Sequence, residues 1–215
     1  MKTKILGLAF LGLIASAQMA MGASTEGKKG LLSLGSVAPD FKLQEVTDGR
    51  WVSLGDFADK KALVVIFTCR HCPFAQHAKP GIIQLAKDYK DKSVGVVLIS
   101  SNDPDAYEDD SPESLREMAI QDGFPSPLLF DETQSIAKAY TAVTTPDVFV
   151  FDKDRKLVYR GQFDDARPGN DIPVTGKDTR EAIDAVLEGR PVSPVQNPSI
   201  GCGIKWKPGN TPDYF

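Results

Sequence analysis

The segment Thr68-Cys69-Arg70-His71-Cys72-Pro73 holds two cysteines separated by two residues, with a histidine between them. It follows the apolar, β-branched run 62–68 (ALVVIFT) and precedes a stretch of helical periodicity. The pair therefore stands where a buried strand hands over to a helix. That position suits thiol chemistry, because the unpaired N–H groups and macrodipole of a helix N-terminus favour a thiolate. The spacing puts Cys69 at that terminus and Cys72 one turn further on, near enough to close a small disulfide ring. His71 stabilises the Cys69 thiolate from between them, and Arg70 adds a second positive charge. A stabilised leaving thiolate makes a disulfide easier to reduce. The expectation is a redox-active Cys69–Cys72 disulfide in which Cys69 is the nucleophile, Cys72 resolves and His71 tunes.

Competing uses of the pair fit less well. A zinc site needs further ligands at regular spacing, and only Cys202 and His77 remain. Haem attachment needs histidine directly after the second cysteine, where Pro73 stands. A structural disulfide across two residues closes almost no loop and does little to the unfolded chain. Cys69, Cys72 and a histidine do suit soft Cu(I), so a copper-binding chaperone is one alternative. For exchange chemistry itself no cofactor and no resident metal is expected. The third cysteine, Cys202, lies between Gly201 and Gly203. It either resolves a mixed disulfide or sulfenic acid on Cys69, or is a buried free thiol.

The elements that must position these residues are legible in outline. Residues 41–43 and 51–54 alternate apolar and polar around Thr47-Asp48-Gly49, a hairpin with an Asp-Gly turn. Residues 62–68 and 94–100 are strands buried on both faces. Ile82, Leu85, Ala86 and Tyr89 form one helical stripe between them, with Pro80 placed to kink or divide the helix. Residues 102–110 are an acidic loop; its 103–110 part, like Asp164-Asp165, reads as solvated surface, and it lacks the spaced ligand order of a dedicated calcium site. Ser111-Pro112 opens a helix to about 121. A short strand at 128–130, a helix at 133–140, a hairpin of 147–151 with 156–159 and a helix from 178 to 187 follow. The order gives an α/β three-layer sandwich, one mixed sheet between helices, with an N-terminal hairpin extension.

The chain has 215 residues and a net charge of −4, with dispersed lysines and arginines, which argues against a nucleic-acid partner. Lys2 and Lys4, the apolar run 5–14 and the small residues Ala15, Ser16 and Ala17 form the layout of a secretory signal peptide. Its removal takes two lysines and no acid, moving the charge from −4 to −6. The expected organisation is a signal peptide at 1–22, a flexible lead-in at 23–34, one domain at 35–190 and an irregular tail at 191–215 carrying Cys202. The mature protein is expected in the periplasm or secreted, with no stable membrane insertion.

Several segments together resemble the thioredoxin-like superfamily, and more narrowly its redoxin branch of alkyl hydroperoxide reductase/thiol-specific antioxidant-like proteins. They are residues 35–43 (GSVAPDFKL), 48–54 (DGRWVSL), 67–73 (FTCRHCP), Thr145-Pro146-Asp147 and the ending 198–207 (PSIGCGIKWK), which is similar to the tail of a peroxiredoxin-like subgroup. The resemblance spans about residues 35–207. It implies that Pro146 is cis and faces the disulfide, and that the Thr145 backbone pairs with an extended substrate segment, so Thr145 and Pro146 position substrate. It also implies a thiol–disulfide oxidoreductase acting on a protein or small-molecule thiol or disulfide, with a redox partner protein. Peroxide reduction is the other activity it suggests. The peroxidase pattern places threonine or serine three residues before the reactive cysteine, however. Ile66 stands there, which predicts poor peroxide reduction.

Overall fold

The computed structural model describes Met1 and residues 30–214, so the expected leader and most of the lead-in lie outside the described residues. Among these no helix is long and apolar enough to cross a membrane. The chain runs β1 (Lys42–Glu45), β2 (Trp51–Ser53), β3 (Ala62–Phe67), α1 (Pro73–Tyr89), β4 (Val94–Ser100), α2 (Pro112–Gln121), β5 (Leu128–Phe130), α3 (Ser135–Tyr140), β6 (Thr144–Thr145), β7 (Asp147–Phe151), β8 (Leu157–Gly161), α4 (Lys177–Leu187) and β9 (Cys202–Gly203). Seven strands form one mixed sheet in the order β2-β1-β5-β4-β3-β7-β8. β3 is parallel to β4, and β4 to β5, while β7 runs antiparallel to β3 and to β8.

The continuous apolar runs are strands because the sheet is covered on both faces. Successive side chains of a strand point to opposite sides, and β3 divides accordingly. Val64 and Ile66 join Ile82 and Leu85 of α1, Leu115 and Met118 of α2, and Ile183 of α4 on one face. Leu63, Val65 and Phe67 join Phe41, Phe149, Tyr140 of α3 and Ile204 of the tail on the other. This is the three-layer sandwich with a mixed sheet expected from the order of elements.

Four local expectations are corrected. Pro80 does not divide α1, which runs unbroken from Pro73 to Tyr89. Proline removes one N–H, but the buried face of this helix, with Ile82, Leu85, Ala86 and Tyr89, holds the turns on either side against the sheet. Next to it, a Cβ on Gly81 would come within 2.5 Å of Val174 Cγ1 and 2.9 Å of Phe163 Cε1, so only glycine lets the helix sit this close. The acidic loop is not simply solvated: Asn102, Asp103 and Asp110 are buried, as is Asp164. The tail is not wholly irregular, because β9 pairs antiparallel with β6, setting Thr145 opposite Cys202 and Thr144 opposite Gly203. Last, the helix carrying the cysteine pair begins at Pro73, three residues later than the motif suggests.

Candidate active site

The start of α1 follows from its first residue. Pro73 takes the first helical position, where a missing N–H costs nothing, and proline disfavours helical geometry in the residue before it. Cys72 accordingly has extended backbone (φ −75°, ψ 124°) and is the N-cap. The first helical bond runs from the Gln76 N–H to the Cys72 carbonyl at 2.9 Å. The helix terminus thus serves Cys72, not Cys69. Cys69 lies in the turn between β3 and α1.

The two thiols meet at one residue, Thr145 of β6. The Thr145–Pro146 peptide is cis. Thr145 Oγ1 is 3.1 Å from Cys69 Sγ, and the protonated Cys72 thiol donates to the Thr145 carbonyl at 3.2 Å. Cys69 is 2% exposed and Cys72 0%. Both pack against Ala75, with Phe74 and Cys202 beside them. Cys202 is half-buried, and all three cysteines are free thiols.

Cys72 is the hub of the three. Its pKa is lowered to about 4 despite burial, because the Cys69 and Cys202 thiols and the Ala75 N–H of its own helix would stabilise its ionised form. Cys69 is pushed up, first by donating to Cys72, then by burial and by the Asp110 charge. Cys202 is pushed up to about 11, by burial and by its hydrogen bond to Cys72. Of the three thiols, Cys72 is the one whose neighbours and helix N-terminus favour the charged form.

Arg70 and His71 also differ from expectation. Arg70 turns away from the thiols: its Nη1 donates to the Ser114 carbonyl at 2.7 Å and to Glu117 at 3.3 Å. His71 pairs through Nδ1 with Asp110 and stacks on Tyr107, ring centroids 4.3 Å apart. Cys69, His71 and Asp110 bring one donor atom each within 4.8 Å of one another. Asp110 is the residue sequence reasoning missed. Fully buried, its Oδ1 accepts the N–H groups of Arg70 (2.7 Å) and His71 (3.1 Å), and its Oδ2 accepts from Asn102 Nδ2 at 2.8 Å. Its lone pairs are spent on the segment between the cysteines, so it is an anchor for that segment.

The tail is pinned on both sides of Cys202. Upstream, Ser199 Oγ donates to the buried Asp147 at 2.6 Å. Downstream, the Lys205 N–H donates to Asn102 Oδ1 at 2.8 Å, and Gln134 bridges the Ser101 and Lys205 carbonyls at 2.8 Å each. A Cβ on Gly201 would lie 2.1 Å from the Thr145 carbonyl oxygen. Glycine is thus required where the tail crosses the cis-proline turn. Gln134 and Asn102 carry no motif, and only their burial reveals them.

A strand-to-helix cysteine pair facing a cis X-Pro turn, on a mixed sheet covered by helices on both faces, is a thioredoxin-like arrangement. Residues 34–160 match the model of the AhpC/TSA family, and the chain belongs to that family. A solved structure of an uncharacterized conserved protein from Geobacillus kaustophilus is 53% identical, covering 82% of this chain and 94% of that one, with TM-score 0.80. A hypothetical protein from Sinorhizobium meliloti is 45% identical over 83% and 97% of the two chains, with TM-score 0.81. Among curated relatives, the thiol-disulfide oxidoreductase ResA of Bacillus thuringiensis is 22% identical over 75% of this chain and 80% of its own.

Proposed function

We propose that this protein is an exported thiol–disulfide oxidoreductase whose redox pair is Cys69 and Cys72. The observation that carries the reading is the convergence of both sulfurs on Thr145, at 3.1 and 3.2 Å, beside the cis Thr145–Pro146 bond. The family and the name borne by the ResA relatives support the activity. Two thiols become one disulfide by loss of two electrons and two protons to a partner disulfide, and the reverse step reduces that partner. Within the pair, Cys72 caps α1, and the helix N-terminus and its neighbours favour it as a leaving thiolate; Cys69 is the proposed nucleophile and Cys72 the resolving sulfur. His71, fixed by Asp110 and Tyr107, keeps the connecting segment in place and is a positioning residue. Thr145 and Pro146 form the wall against which the disulfide lies.

Export rests on Lys2, Lys4 and the apolar run that follows. It predicts a mature N-terminus near residue 18 or 23, readable by intact mass of the protein recovered from its source cells.

The activity is tested by equilibrating the full chain in graded glutathione buffers and mapping disulfides by peptide mass spectrometry. A reversible Cys69–Cys72 disulfide with a defined potential is expected. Failure of these residues to form any disulfide across the range overturns the reading.

A further inference from the structure

The two thiols of the redox pair are closed to solvent, at 2% and 0% exposure, while Cys202 beside them is half-buried. Cys202 is also not free to swing, because Ser199 on one side and Lys205 on the other are tied to Asp147 and Asn102. It sits in β9, opposite Thr145, so the backbone edge beside the cis-proline already has a strand on it. An extended protein segment cannot add to that edge while β9 is there. A small thiol needs no such edge.

Resting on the redox-pair reading, we propose that Cys202 is the solvent-side terminus of a three-thiol relay, the sulfur at which a low-molecular-weight thiol or disulfide exchanges. Cys202 packs against the cluster of Cys69 and Cys72, and it lies opposite Thr145, the residue that both other sulfurs contact, so Cys72 has a sulfur on either side to bond to in turn. In the first step Cys202 gives up its proton and attacks Cys72 Sγ of the Cys69–Cys72 disulfide. The Cys69–Cys72 bond breaks, a Cys72–Cys202 disulfide forms and Cys69 leaves with the electron pair and takes a proton. No net oxidation occurs. In the second step an external thiolate attacks Cys202 Sγ, and Cys72 leaves as thiolate. In the third, another external thiolate attacks the external sulfur of that mixed disulfide, releasing a small disulfide and the Cys202 thiolate, which is reprotonated. Two external thiols are oxidised and the protein gains two electrons. An external disulfide runs the same steps backwards and resets the relay.

The protonation pattern agrees with these roles. Cys72, whose neighbours lower its pKa, is the better leaving group in step two, while the leaving Cys69 in step one is drawn forward by taking up a proton.

Three measurements on the full chain test the relay. Wild-type protein oxidised with limiting glutathione disulfide and quenched in acid should yield Cys72–Cys202-linked peptides as well as Cys69–Cys72. The Cys72→Ser variant, exposed to glutathione disulfide, should carry its glutathione adduct on Cys202. Stopped-flow reduction of oxidised Cys202→Ser by glutathione should be slower than wild type by at least about tenfold, since exchange rates depend on access and the most exposed of the three cysteine sulfurs is gone. The relay is overturned if Cys202→Ser matches wild type in rate and the Cys72→Ser adduct sits on Cys69. A reversible Cys69–Cys72 disulfide in that outcome leaves the redox-pair reading standing. If Cys69 and Cys72 form no disulfide in wild type or in Cys202→Ser, both fall.

Discussion

Asp110 and His71, 39 residues apart in sequence, are joined twice: the carboxylate accepts the His71 backbone N–H at 3.1 Å through Oδ1 and pairs with the ring Nδ1 through Oδ2. A buried carboxylate that holds both backbone and ring fixes the residues between two cysteines more firmly than either contact alone. It also places negative charge near Cys69, which keeps that thiol protonated.

Asp110→Ala leaves the part-buried Arg70 and His71 N–H groups without their acceptor, which should cost about 1–3 kcal/mol of stability. Urea unfolding of the reduced protein measures the loss. The same change removes the charge that opposes Cys69 ionisation, so Cys69 alkylation at fixed pH should speed up in any protein that remains folded. A merely structural role for Asp110 would slow nothing and speed nothing at that sulfur.

Reduced protein should become more stable as pH rises from about 4 toward 9. The neighbours of Cys72 lower its folded pKa to about 4 from the ordinary thiol value of 9.0. A group depressed on folding contributes stability that is complete above its unfolded pKa and is lost as pH falls through its folded one. Denaturant midpoints across that window should rise in the wild type, and the slope should flatten in Cys72→Ser. Thiolate ultraviolet absorbance should persist in the wild type at pH 6 and vanish in the variant, as a stabilised thiolate requires.

Gly201→Ala should detach β9. The added Cβ would lie 2.1 Å from the Thr145 carbonyl oxygen, and backbone cannot yield as a side-chain end does. Hydrogen exchange should show lost protection at Ile204, whose N–H donates to the Val143 carbonyl at 3.1 Å. Stability should fall by about 1–3 kcal/mol. With the cover displaced, Cys69 and Cys72 should alkylate faster than in the wild type.

Peroxide should react with the reduced protein no faster than with free cysteine. Ile66, where the peroxidase pattern has a hydroxyl, is fully buried in β3 opposite Leu98 and Val148. The Thr145 hydroxyl does reach Cys69 at 3.1 Å, but it faces a protonated thiol. Stopped-flow mixing decides the matter: a rate well above that of free cysteine would show that Thr145 replaces the missing group.

The strands and the cysteine pair were legible in the sequence because their signals are local. A run such as 94–100 must be buried whatever surrounds it, and α1 shows its stripe without help from other elements. Asp110 was not legible, because an aspartate in a run of acids looks solvated until the N–H groups it caps arrive from 39 and 40 residues away. The place of the helix terminus was written in Pro73, yet the two-residue spacer drew attention to Cys69 instead. β9, with two residues, has no periodicity to read; it exists because Thr145 opposite offers an edge and Gly201 permits the crossing. Pro80 misled for the opposite reason, since a local rule about helices yields to the core that α1 packs on.

The pairing of β9 with β6 also orders events as the chain folds. The central sheet ends at Gly161 and every other part of the site lies before residue 148, so the sheet, the cis turn and both thiols can come together before the tail docks. Until Cys202 and Ile204 have docked, the pair stands uncovered. During that interval a passing thiol can reach Cys69 and Cys72 directly, and the finished molecule differs from its folding precursor chiefly in having closed that door.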